Sequence, residues 1–309
     1  MLENFLTVGT QVLVLFLLIG VGVVCTKAKL LSAAAVRCMA DVVLYFATPC
    51  VIIRSFQRPL TAALMKDLGV AALAAVGVHL LGIALAHLLC RDKEESRRAV
   101  LRFGVVFSNA GYMAIPLQQA ILGDDGVFFG AVFVAVFNIV LWTYGVGVMS
   151  GGVKALSLRK VLLNPGLIGV TLGLFFLLGG ITLPTVIASP VSHLANLNTP
   201  VPMLIIGYYL AGANIKEALR DRSAYLTIAL RLALIPLITL GVLWVCGIRG
   251  TVLVSAVIGA SAPVATATTM FAAKFDRSPT LSVNLVVLST LLSAVTMPLI
   301  VGLASLIGG

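Results

Sequence analysis

Ten apolar runs, each about 20 residues long and parted by short polar loops, dictate how this 309-residue chain can fold. A helix needs about that many residues to cross a hydrocarbon core ~30 Å thick. The runs cover residues 6–25, 38–57, 67–89, 100–121, 127–149, 161–180, 198–215, 224–246, 251–273 and 280–305. Inside lipid only a helix or a closed barrel satisfies its own backbone, and runs of this length read as helices. The expected fold class is therefore all-α and polytopic, with ten transmembrane helices. Composition agrees, since 60% of residues are hydrophobic and 10% are charged, where a soluble domain has about 25% charged residues. The net charge of +10 does not point to nucleic acid, because the cations are scattered over short loops and form no basic domain.

Those cations report orientation instead. Of the 21 lysines and arginines, 16 lie in one alternate set of loops, at residues 27–37, 91–102, 154–160, 216–222 and 274–277. The other set holds only Arg54, Arg58, Lys66 and Arg249, and Arg231 falls inside a run. Lysine and arginine in short loops favour the cytoplasmic side, so both termini are expected outside the cytoplasm, in a cell (inner) membrane. The opening Met1-Leu2-Glu3-Asn4 lacks the basic start of a secretory signal, so the first run reads as a span. Ten spans divide into two fives, residues 1–150 and 151–309, and because five is odd the halves insert in opposite senses. Prolines mark the correspondence. Pro49 in Leu44-(x)4-Pro49-x-Val51 matches Pro202 in Leu197-(x)4-Pro202-x-Leu204 at an offset of 153, and Pro116 matches Pro263 at an offset of 147. Such inverted repeats belong to secondary transporters.

The fourth and ninth runs are interrupted. Ser108-Asn109-Ala110-Gly111-Tyr112-Met113-Ala114-Ile115-Pro116 and Gly259-Ala260-Ser261-Ala262-Pro263-Val264-Ala265-Thr266 each set proline among small and hydroxylated residues in mid-span. Proline removes a backbone donor and clashes with the preceding turn, so both helices are expected to break near the bilayer centre. Broken backbone is tolerated there only where protein or a water-filled cavity covers it.

These residues resemble the auxin efflux carrier family. The likeness rests on Asn109-Ala110-Gly111-(x)3-Ile115-Pro116-Leu117, on Asn164-Pro165-Gly166-Leu167-Ile168-Gly169, and on the stretch from Ala262-Pro263 through Phe271-Ala272-Ala273-Lys274-Phe275 to Leu288-Ser289-Thr290-Leu291-Leu292-Ser293. The resemblance implies a five-plus-five inverted repeat of the kind seen in bile-acid sodium symporters. Spans 1, 2, 6 and 7 would form a scaffold, and spans 3–5 and 8–10 a mobile transport domain in which helices four and nine cross. It implies elevator-type alternating access and small organic anions, such as dicarboxylates, as substrates. The short link between spans five and six resembles compact bacterial members rather than plant ones with a long central loop. Two copies could associate through the scaffold.

A broken helix exposes free N–H groups and a partial positive charge where its second half begins. Two such starts side by side make an anion site. The candidate substrate residues are Asn109, Ala110, Gly111, Pro116, Ser261, Ala262, Pro263 and Thr266, with Thr268 and Thr269 near by. The hydroxyls could equally bond back to their own helix. None of the 11 acids sits in the middle of a span, which disfavours a carboxylate-based cation site and suits efflux driven by membrane potential or protons. Three ionisable residues could handle charge. Asp41 could pair with Arg37 or take a proton; Arg231 could snorkel or attract the anion; His79 could be a bonded interior histidine or titrate. Five scattered cysteines show no metal-ligand spacing, so no cofactor and no metal are expected. No nucleophile triad or phosphate loop argues for an enzyme, and an inverted repeat argues against a channel. A sodium-coupled symporter of the same fold is the nearest alternative.

Overall fold

The computed structural model describes residues 2–152, 159, 163–213, 219 and 221–308. The first residues of the run at 161–180, the last of that at 198–215, and Lys154, Lys160, Lys216 and Arg220 lie outside the described residues. Every regular element described is helical. In chain order these are α1 (Leu2–Lys27), α2 (Ala33–Ser55), α3 (Ala62–Leu89), α4 (Glu95–Val106), α5 (110–122), α6 (124–150), α7 (Pro165–Leu178), α8 (Thr185–Asn196), α9 (Pro200–Ala211), α10 (Ser223–Val245), α11 (Gly250–Ser261), α12 (Ala267–Lys274) and α13 (Pro279–Gly308). Helix starts follow the capping rule that a short polar side chain accepts an orphan N–H. Ser32 accepts from Ala35, Thr61 from Leu64, and Asn164 from Gly166 and Leu167.

Among the described residues six stretches are long and apolar enough to cross a membrane unaided, the longest being Ala110–Ser150 at 41 residues. That stretch is not one straight rod. Gly123 has φ 64° and ψ −151°, a backbone conformation open to glycine and costly for other residues. Beyond it the chain folds back. Ser255 Oγ accepts from Gln118 Nε2 (3.0 Å) and donates to the Gly126 carbonyl (3.1 Å), and Gly130 backs directly onto the Gln118 amide. Residues 118 and 130 would be about 18 Å apart along a straight helix. α5 and α6 are therefore a helical hairpin, as the separate runs 100–121 and 127–149 require. By contrast α8, inside the loop at 180–198, is not foreseen by the apolar pattern; it packs on the second half of α2.

Among the described residues four π-helical turns interrupt the spans, at Val43–Ala47, Ala110–Ala114, Leu141–Gly145 and Leu230–Leu234. Three of them end two residues before a proline: Pro49, Pro116 and Pro236. A proline ring collides with the carbonyl four residues back, and a widened turn at that point absorbs the collision without severing the helix. Leu141–Gly145 has no proline after it.

Lipid tails offer no hydrophobic reason for helices to associate, so close backbone approach does that work. α1 and α9 meet through Gly22 and Gly207, where a Cβ on Gly22 would fall 2.5 Å from the Leu204 carbonyl oxygen. α7 meets α2 at Gly169, whose Cβ would lie 3.0 Å from Pro49 Cα. On the face rich in lysine and arginine, Arg97 bonds Asp221 (2.8 Å) and Asp92 (3.3 Å), and Arg277 pairs with Glu95 (3.0 Å). These tie the starts of α4, α10 and α13 together. On the opposite face Arg54 reaches Asp124 (3.5 Å) and Arg58 reaches Asp125 (2.5 Å), joining the end of α2 to the tip of the α5–α6 hairpin.

Candidate functional site at the helix crossing

α4 stops at Val106 and α11 at Ser261, and the extended segments that follow lie antiparallel, paired at Ser108 and Val264. The Asn109 N–H donates to the Pro263 carbonyl (2.7 Å), and the Ala265 N–H to the Phe107 carbonyl (2.9 Å). Each break thus satisfies backbone groups that the other leaves orphaned, which is the condition for unwound chain at membrane depth. A third strut comes from α13: Ser289 Oγ accepts from the Val264 N–H (3.0 Å) and donates to the Val286 carbonyl (3.1 Å). Asn109 itself makes a tight turn (φ −75°, ψ 56°) that brings the Ala110 N–H to the Ser108 carbonyl at 2.7 Å.

Pro263 sits in its break as expected. Pro116 does not. It lies in the first turn of regular α-helix after the π-turn Ala110–Ala114, buried and past the break. The interruption in the fourth span falls at Phe107, Ser108 and Asn109, whose backbone pairs with the break of the ninth span instead of continuing the helix.

The two C-terminal ends converge on one side chain. Arg231, on the π-turn of α10, is fully buried. Its guanidinium donates to the carbonyls of Val105 (3.0 Å) and Val106 (3.2 Å), at the end of α4, and of Ala260, at the end of α11. Snorkelling to the basic face does not occur. His79, on α3, is an electrostatic neighbour of Arg231 and lies among the rings of Phe107, Phe133 and Phe137. It is buried, with Nδ1 2.7 Å from the Ala75 carbonyl of its own helix.

The starts of the second halves are more open. In α5 the amides of Ala110 and Met113 turn back to Ser108 and Asn109, leaving Gly111 and Tyr112 in the first turn. Both are half-buried, and a Cβ on Gly111 would meet nothing within 4 Å. At the start of α12, Thr266 just before it and Ala267 are likewise half-buried. A small cleft of ≈ 10 Å³, room for about one water, is lined by Ile206, Tyr209, Leu210, Thr266, Val286, Val287 and Thr290, and an adjoining one of ≈ 10 Å³ adds Thr269. Tyr112 has Tyr209 and Asp41 as electrostatic neighbours. Around the crossing, Ser108 Oγ, Asn109 Nδ2, Thr268 Oγ1 and Thr290 Oγ1 are buried with no hydrogen-bond partner among the described residues. Buried donors left so are costly unless something binds them.

The expected residues accordingly divide. Gly111 and Thr266 border open space, while Asn109 is 4% exposed with its amide nitrogen free. Ala110, Ala262 and Pro263 build the crossing itself. Ser261 is fully buried and bonds back to Ile258 (3.2 Å), so its hydroxyl is spent on its own helix. Asp41 is exposed and forms no ion pair with Arg37 or any other described residue. Sequence reasoning did not single out Ser289, Thr290 or Tyr209; the hydroxyls of Ser289-Thr290-(x)2-Ser293 in an apolar helix were the available signal. At the basic face the Asp221 carboxyl is shifted. Burial pushes its carboxyl up, and hydrogen bonds from Ser223 and Arg97 outweigh that, so the net pKa lies below the ordinary 3.8.

A family described as "Membrane transport protein" matches residues 7–301. An "uncharacterized transporter" from Methanothermobacter thermautotrophicus is 28% identical over 214 residues, which cover 68% of this chain and 69% of the relative. The match makes the protein a multi-pass membrane transporter and not an enzyme. With nearly its whole length matched, the chain belongs to this membrane transport family, the auxin efflux carriers whose crossing motifs it carries.

Proposed function

We propose that the protein is a secondary carrier of small organic anions, carboxylates foremost, bound where α5 and α12 begin. The observation that carries this reading is the meeting of two broken helices, whose second halves begin within three residues of the paired Ser108 and Val264, beside buried donors that lack partners, Asn109 Nδ2 chief among them. Each N-terminus contributes about half a positive charge and free N–H groups. A carboxylate accepts several such bonds at once. Pairing of α1 with α9 and of α7 with α2 is what an inverted repeat of residues 1–150 and 151–309 calls for, with these four helices as scaffold. The ten-span count follows if α4 with α5, and α11 with α12, each cross once as broken helices. The remaining spans would move as a unit past the scaffold, giving elevator-type access, with efflux driven by membrane potential or protons. The cation asymmetry supports insertion in the cell membrane with both termini outside, and a scaffold-mediated homodimer is compatible with it.

The test is flux of labelled mono- and dicarboxylates into proteoliposomes. Asn109→Ala should abolish saturable uptake while membrane insertion and the monodisperse elution profile persist. Uptake equal to wild type in that variant would remove the anion from the crossing.

A further inference from the structure

Each helix C-terminus carries about −0.5 of a charge, so the ends of α4 and α11 together present about −1 at the centre of the protein. Carbonyls at such ends, and unwound carbonyls beside them, are what secondary transporters use to hold a coupling sodium ion. Here the Val105, Val106 and Ala260 carbonyls already accept from one guanidinium. That guanidinium has no carboxylate beside it among the described residues, and the side chain is fully buried. An arginine keeps its proton in proteins, and a buried charge is tolerated only where dipoles or counter-charge compensate it. The compensation visible here is the pair of helix ends. A π-turn at Leu230–Leu234, relieving Pro236, places the side chain at that point.

We propose that Arg231 is a tethered cation that takes the place of a coupling sodium ion at the helix crossing. The two C-terminal ends and the guanidinium cancel, at about −1 and +1, and the two N-terminal ends leave the crossing about +1. Without Arg231 the four ends would sum to zero, and the anion would need a cation bound with it. The crossing is thus charged for an anion permanently, and the anion leaves with its own charge uncompensated. This extends the organic-anion reading to its coupling, and rests on it only for the transport measurements.

The first measurement uses purified protein without substrate. The thermal midpoint of wild type should be the same in sodium, potassium and choline chloride at equal ionic strength. Arg231→Met, which keeps most of the apolar stem and loses the charge, should unfold at lower temperature. Its midpoint should rise when millimolar guanidinium chloride or sodium chloride is added, whereas choline chloride leaves it unchanged. A residue that only filled space would show no such cation dependence. In proteoliposomes, wild-type carboxylate flux should survive replacement of sodium by choline, and Arg231→Met flux should fall about tenfold or more, as expected for stripping a buried charge from its partners. Wild-type stability or flux that depends on sodium would overturn the proposal. So would Arg231→Met with wild-type midpoint and flux. Should Arg231→Met not accumulate, the sodium comparison on wild type and the milder Arg231→Lys, expected to retain sodium-independent stability, decide the matter. Absence of any carboxylate flux in wild type would sink the organic-anion reading and leave the stability result standing, so the two failures are distinct.

Discussion

Replacing Ser289 by alanine isolates the strut by which α13 reaches the break of the ninth span. The hydroxyl is fully buried and accepts the Val264 N–H at 3.0 Å. Val264 already sits in extended chain, so its amide has no helical carbonyl to fall back on. Removing one partner so that a buried donor stays unpaired costs about 1–3 kcal/mol, against about 1 kcal/mol for the average hydrogen bond. The volume change is a single oxygen, so no cavity term of consequence is added. Ser293 supplies the control. It is equally buried, four residues along the same helix, but its Oγ only donates to the Thr290 carbonyl (2.6 Å). Ser293→Ala leaves that carbonyl with its helical partner and should cost well under about 1 kcal/mol. Equilibrium unfolding in mixed micelles, read by tryptophan fluorescence, compares the two. Equal destabilisation by both substitutions would refute the view that the Val264 amide depends on Ser289.

Three further outcomes follow from the packing and the loops. Gly22→Ala places a methyl 2.5 Å from the Leu204 carbonyl, forcing α1 off α9, and should lower stability by about 1–3 kcal/mol as overpacking does; a thermal midpoint equal to wild type would mean the helices are not held at this spacing. Asp125→Asn removes the pair with Arg58 at an exposed site. Such pairs contribute about 0.2–1 kcal/mol, so the accessibility of a Thr266→Cys thiol should change by no more than about fivefold, and a larger change would give the pair a role beyond a surface ion pair. Asp221 has a lowered carboxyl pKa in the folded protein, so its contribution is complete above the ordinary 3.8 and is lost as pH falls through the lower folded value. A midpoint-against-pH profile should therefore be flatter on its acid side in Asp221→Asn, and coincident profiles would refute the pairing with Arg97.

Much of the architecture was legible in the residues because it depends on properties of short stretches. Apolar length marked the spans, and the break at Pro263 lies where proline in a small-residue segment puts it. The α5–α6 hairpin followed from two apolar runs around the Gly123-Asp124-Asp125 tip. Pro116 misled because a proline can be absorbed as well as obeyed: a π-turn before it keeps the helix whole, and the interruption passes to Ser108-Asn109. α8 escaped notice because its amphipathic pattern, with Pro190 inside, does not resemble a span. Of the site, Asn109, Gly111 and Thr266 were readable as polar or small residues at the breaks, whereas Ser261 carried the same chemistry and spends it on its own helix.

What the sequence determined by itself is that the chain is a helical, multi-pass membrane protein, that the helix ends at Pro263, and which family it joins, because hydrophobic transfer and proline sterics act over a turn or two. What tertiary structure alone decided is how the broken ends are completed. Asn109 finds Pro263, Val264 finds Ser289, and Arg231 gathers Val105, Val106 and Ala260. Those partners lie from 25 to about 150 residues apart in the chain, a separation at which no local propensity acts. Only the folded arrangement settles which orphaned backbone group each buried polar atom reaches, since an unsatisfied one at that depth costs more than any local preference can return.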